Sequence, residues 1–122
     1  MSWSFDGSRP IYTQLVEQLK ARIVSGEYPP CYRIPPVREL AAEAGVNPNT
    51  LQRAFAELER EGLLHAERTA GRFVTQDAAL VDSLRQALAR QLADDFLQKM
   101  GLLGYTPAQA LQLIQTRSEH HE

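Results

Sequence analysis

The chain has 122 residues, of which 43% are hydrophobic and 23% charged, with a formal net charge of −2. That length holds one domain, or a small domain with an accessory tail, and the apolar runs are too short for a membrane-spanning helix. The single cysteine, Cys31, excludes an internal disulfide and a cysteine zinc site, and the opening Met-Ser-Trp-Ser-Phe-Asp lacks the basic and apolar regions of a signal peptide, so a cytoplasmic location is expected.

Pro10 suits the first turn of a helix, where its missing N–H costs nothing. Ile11, Leu15, Leu19 and Ile23, with Val16 between, make a stripe at helical spacing, and Gly26 is a good stop. Residues 27–36 contain four prolines and read as an extended connector. A short helix is expected from Val37 to Ala44, broken by Gly45. Asn47 as N-cap and Pro48 at the first helical position start another, which buries Leu51, Ala54, Phe55 and Leu58 and ends near Gly62. Two strands, Leu63–Glu67 and Arg72–Gln76, joined by Arg68-Thr69-Ala70-Gly71, form a hairpin with Gly71 at its tip.

From Ala78 to about Met100 a long amphipathic helix carries Leu80, Leu84, Leu88, Leu92 and Phe96 on one stripe. Gly101 and Gly104 bracket a break. Thr106-Pro107-Ala108-Gln109 then opens a last helix with a capping-box pattern, followed by Leu111, Leu113 and Ile114. The expected fold is mainly α with a small β-hairpin wing (α+β): a winged helix-turn-helix over residues 1–76, then two C-terminal helices over 77–122 that are too few to fold around a core of their own.

A helix-turn-helix makes strict local demands. The first helix needs a small residue at the crossing, supplied by Ala41. The turn needs a residue tolerant of positive φ, supplied by Gly45. Val46 can plug the joint, and Leu40 ties the first helix to the shared core. On this pattern alone a plain helical hairpin in a bundle stays open. The exposed start of the second helix carries Asn47, Asn49, Thr50, Gln52 and Arg53. Recognition helices meet base edges with this end, Asn and Gln pairing with adenine and Arg with guanine. Asn47 and Thr50 also have a plainer reading as helix caps. Arg38, at the start of the preceding helix, opposes the helix dipole, which an anionic partner would offset; pairing with Glu39 or Glu43 is the alternative. At the wing, Arg68, Thr69, Gly71 and Arg72 can approach a minor groove or the backbone. Overall charge gives no support: residues 1–76 hold nine Lys/Arg and nine Asp/Glu.

Taken together, Pro10-Ile11-Tyr12-Thr13-Gln14-Leu15, Arg33-Ile34-Pro35-Pro36-Val37-Arg38-Glu39-Leu40-Ala41, Gly45-Val46-Asn47-Pro48-Asn49-Thr50-Leu51 and Glu57-Leu58-Glu59-Arg60-Glu61-Gly62-Leu63-Leu64 resemble the DNA-binding domain of the GntR family of bacterial transcription regulators. The resemblance implies that Arg38 reads DNA from the start of its helix, that Asn49, Thr50, Gln52 and Arg53 hold recognition positions, and that Gly71 is the wing glycine. Four departures stand out. Pro36 replaces a capping serine, and Cys31-Tyr32 occupy a turn that usually has glycine. Gln52 stands where arginine is common, and Thr69-Ala70-Gly71-Arg72-Phe73-Val74 replaces Gly-x-Gly-Thr-Phe-Val. The short tail is similar to the YtrA-like branch, whose tails dimerise and whose members often repress transporter operons.

Leu80, Leu84, Leu88, Leu92, Phe96, Leu103, Leu111 and Ile114 offer more apolar surface than two helices can bury on each other. Each Leu is worth roughly 1.5–3 kcal/mol when buried, so a two-fold homodimer is expected; folding of the stripe back onto the winged domain is the alternative. The expected partner is double-stranded DNA, bound by a dimer at a roughly palindromic operator. No catalytic set, cofactor, metal site or membrane contact is expected: His65, His120 and His121 lack a ligand set beyond Glu119 and Glu122, and Cys31 lacks a base. The competing readings are a winged-helix protein–protein module, and a regulator with a small-molecule effector site at the dimer interface.

Overall fold

The computed structural model describes residues 2–120; His121 and Glu122, part of the weak metal candidate above, lie outside them. The elements are α1 (Ile11–Ser25), α2 (Val37–Ala44), α3 (Pro48–Arg60), β1 (Leu64–Glu67), β2 (Gly71–Val74), α4 (Ala78–Leu102) and α5 (Pro107–His120). They group into two compact units, Met1–Leu84 and Arg85–Glu122, with α4 running through the boundary.

In the first unit α1 lays Leu15, Leu19 and Ile23 against Leu51, Phe55 and Leu58 of α3, all of them buried. The segment before α1 is a strap across this helix. Gln14, buried, holds it: Oε1 accepts the Asp6 N–H at 2.7 Å, and Nε2 donates to the carbonyls of Asp6 at 2.7 Å and Arg9 at 2.9 Å. Trp3 and Phe5 stack on each other and pack against the core. Arg22 is 1% exposed. Its guanidinium lies 3.5 Å from the Trp3 ring centroid, and its Nε meets Glu27 Oε2 at 2.9 Å. A charge this deep needs such pairing to offset its lost hydration.

The joint between α2 and α3 forms as its residues dictate. Gly45 adopts φ 73° and donates its N–H to the Ala41 carbonyl, as does Val46. Asn47 Oδ1 accepts the Asn49 N–H at 2.8 Å, and Pro48 fills the first position of α3. At α2 the flanking Pro36 makes no side-chain cap, the direct consequence of losing a hydroxyl there.

The wing differs from its expected form in two ways. First, β1 and β2 pair in the register Leu64↔Val74, His65↔Phe73, Ala66↔Arg72 and Glu67↔Gly71. Gly71 therefore opens β2 opposite Glu67, and the tip is Arg68-Thr69-Ala70. Second, the proline-rich connector is partly ordered as an addition to the sheet. Cys31 N–H bonds the Val74 carbonyl, Val74 N–H the Tyr32 carbonyl, and Ile34 N–H the Arg72 carbonyl, with Arg33 bridged to Phe73. The turn that feeds it closes with Tyr32 N–H on the Pro29 carbonyl at 3.0 Å, and Cys31 sits there at φ 68°.

Leu80 and Leu84, the first two residues of the expected dimer stripe, are partly buried against this core together with buried Val81. In the second unit α4 continues through Gly101 to Leu102. Thr106 then caps α5 reciprocally: Gln109 N–H to Thr106 Oγ1 at 3.1 Å, and Thr106 N–H to Gln109 Oε1 at 2.9 Å. Met100 and Ala110 are buried, whereas Leu92, Leu103 and Leu111 are 71%, 74% and 56% exposed.

Candidate nucleic-acid interface

Burying Leu51, Ala54, Phe55 and Leu58 turns the opposite side of α3 outward. Asn49, Gln52 and Arg53 are exposed there and Thr50 is half-buried. Asn47 is exposed as well, but its Oδ1 is committed to the helix cap. Arg53 places its guanidinium 4.5 Å over the Tyr12 ring, so α1 supports it from behind. Tyr12 in turn donates its hydroxyl to Glu57 Oε1 at 3.5 Å. The sequence places Tyr12 in the first segment of the family resemblance but gives it no role at the site, because its contact with Arg53 joins residues distant in the chain.

Arg38 is exposed at the second residue of α2. Neither Glu39 nor Glu43 forms an ion pair with it among the described residues. Arg38 therefore sets a cation against the dipole of α2, a cost of about 0.3–1 kcal/mol, while Glu39 in the same turn acts in the favourable sense.

The wing residues have different fates because strand residues alternate between faces. Leu64 and Val74 are buried, so Ala66 and Arg72, two residues along each strand, share the inward face. Arg72 accordingly turns toward α3. Its Nε donates to Glu59 Oε1 at 2.6 Å, and its guanidinium lies 5.0 Å from the Phe55 ring centroid. His65, Phe73 and Gly71 share the outer face, where His65 stacks on Phe73. Gly71 has φ 107°.

In the second unit the far half of α4 and α5 enclose an open groove of about 510 Å³, walled by Leu92, Phe96, Leu97, Pro107, Leu111 and Ile114. Leu88 is half-buried upstream of it, and Leu103 projects at the break between the helices.

An exposed amide-and-arginine face on the second helix of a tight helix-turn-helix, flanked by a β wing, defines a winged helix-turn-helix DNA-binding protein. Residues 11–74 match the family described as bacterial regulatory proteins, gntR family. The chain is 39% identical to the HTH-type transcriptional regulator YhcF of Bacillus subtilis over 98% of each chain. It is 38% identical to the HTH-type transcriptional repressor YtrA of the same organism, over 70% of this chain and 67% of that one. A GntR family transcriptional regulator from Listeria monocytogenes superposes with a TM-score of 0.85 at 36% identity, covering 92% of this chain and 98% of that chain. The DNA-binding domain of AraR in complex with operator ORX1 superposes with a TM-score of 0.55 at 29% identity, over 62% of this chain and 99% of that one. The chain belongs to the GntR family, with YtrA-like relatives, and is a DNA-binding transcriptional regulator rather than an enzyme.

Proposed function

We propose that this regulator is a homodimeric repressor that addresses a roughly palindromic operator. Its first unit reads DNA and its second unit holds the two copies together. The observation that carries this reading is the exposed apolar groove of the second unit. Its wall has no polar side chain, which suits a helix of a second copy. A small effector would need a few converging polar groups to orient it. Leu92, Phe96, Leu103, Leu111 and Ile114 are assigned to that interface, with Leu88 at its edge, while Leu80 and Leu84 serve the winged unit on which they pack.

In the DNA-reading unit, Asn49, Gln52 and Arg53 reach base edges from α3, and Arg38 reaches a guanine or a phosphate from α2. Asn47 fixes the start of α3, and Thr50 bonds a backbone phosphate. Gly71 keeps the wing thin, and Arg72 anchors it to Glu59. Repression follows the printed function of YtrA, and control of a transporter operon follows the YtrA-like branch; transcript levels after deletion of the gene test both.

Sedimentation of the full chain tests the assembly. The wild type is expected to be a dimer, and Phe96→Asp and Leu111→Asp to be folded monomers. A wild-type monomer at micromolar concentration would overturn the proposal.

A further inference from the structure

The wing region carries two arginines on neighbouring strands, and the sheet sends them in opposite directions. Arg72 faces inward and is neutralised by Glu59. Arg33 is bridged directly to Phe73, and directly opposed strand residues share a face. Arg33 therefore lies on the outer face, in one row with Phe73 and His65. The Arg33 side chain is exposed, and among the described residues no carboxylate pairs with it.

Its guanidinium runs along β2 over Gly71. A Cβ at position 71 would stand 3.1 Å from Arg33 Nε and 3.6 Å from Nη2. A Cβ there would crowd the guanidinium and make it give by a few tenths of an ångström, and φ 107° at the same position favours glycine more strongly. Beside it a cleft lined by Arg33, Pro35, Pro36, Val37, Gly71 and also Arg72, whose Nε is held by Glu59, leads to the start of α2. Arg38, which also has no carboxylate partner among the described residues, follows Val37 there.

We propose that Arg33 is a DNA-contacting residue of this regulator: it bonds a backbone phosphate beside the wing, the part that Arg72 is positioned to play in sequence but cannot play while held by Glu59. The inference rests on the DNA-binding reading of the first unit. A domain whose first 76 residues carry no net charge has little long-range attraction for DNA, so each free cation on the contact side weighs more. A phosphate contact fixes register and carries no sequence information. Arg33 should therefore strengthen binding to every duplex alike.

The test uses the full chain and two duplexes of equal length, one selected by the protein from a random pool and one of unrelated sequence. Affinity is measured against salt for wild type, Arg33→Gln, Arg33→Lys and Arg38→Ala. Each lost phosphate contact lowers the slope of log K against log salt by about 0.9. Arg33→Gln is expected to lower it by that amount per protomer and to weaken both duplexes by the same factor, with Arg33→Lys close to wild type and the thermal midpoints of both Arg33 variants unchanged. Wild-type affinity and slope for Arg33→Gln, alongside weakened Arg38→Ala, would overturn the role of Arg33 and leave the DNA-binding reading intact. A changed base preference in Arg33→Gln would overturn the phosphate assignment. Equal losses in Arg33→Lys and Arg33→Gln would make the residue structural. Failure of the wild type to bind either duplex at low salt would remove the reading beneath it.

Discussion

The Arg53 guanidinium rests 4.5 Å over the Tyr12 ring, joining the recognition helix to α1 at the face proposed to meet DNA. The contact holds a long side chain that would otherwise lose its rotamer freedom on binding. A cation–π contact at an exposed site is worth about 0.5–1 kcal/mol, so Tyr12→Leu should weaken binding to the selected duplex roughly 2- to 5-fold. Tyr12→Phe keeps the ring and should bind as wild type. Fluorescence anisotropy on the three proteins measures the difference.

Arg38 begins α2 with a charge of the wrong sign for the helix dipole. Arg38→Ala should therefore raise the thermal stability slightly, by about 0.3–1 kcal/mol. It should also reduce affinity for the selected duplex about 10- to 100-fold, the worth of a good base or phosphate contact. Opposite signs in melting and binding are the signature of a residue kept for its ligand.

Gln52 projects from the outer face of α3, four residues into the helix. Gln favours adenine and Arg favours guanine. Gln52→Arg should change the preferred base at one position in each half-site, as read by selection from a random pool. An unchanged site would place Gln52 outside the base contacts.

Cys31 sits at φ 68° in the turn closed by Tyr32 on Pro29. The left-handed conformation costs a non-glycine residue roughly 1–2 kcal/mol, and glycine gives back about 0.5–1 kcal/mol in chain entropy. Cys31→Gly should stabilise the protein by about 0.5–1 kcal/mol on these two terms, visible as a raised melting temperature without change in DNA binding.

Burial pushes the Tyr28 hydroxyl up to about 12, against the opposing influence of Arg22. The folded state thus keeps a proton that the unfolded chain releases near the ordinary tyrosine value of 10.0. The contribution is fully present below pH 10 and is lost as pH rises from there toward 12. Tyr28→Phe should flatten the alkaline fall in stability measured by denaturant melts between these limits.

Much of the fold was legible because its signals are local. Gly45, Asn47, Pro48 and the Thr106–Gln109 box each act within one turn of chain, and the stripes of α1 and α3 repeat at helical spacing. The strap of Trp3 and Phe5 and the pairing of residues 31–34 with β2 were hidden because both join segments distant in sequence. The four prolines masked the second by suggesting irregular chain throughout. Arg72 looked free because a charge beside a glycine suggests a tip. Its position two residues before buried Val74 was the available sign that it faces inward. The first half of the α4 stripe looked uniform with the second, since periodicity cannot say which surface a face meets; Val81 and Leu84 meet the winged core.

The central claim is that two copies of the α3 face read one operator. Selection of bound duplexes from a random pool by the 122-residue chain is the sharpest test. An inverted repeat is expected, with half-sites about one DNA turn (~34 Å), or a multiple of that, apart. A single asymmetric site, or no enrichment at low salt, would contradict it.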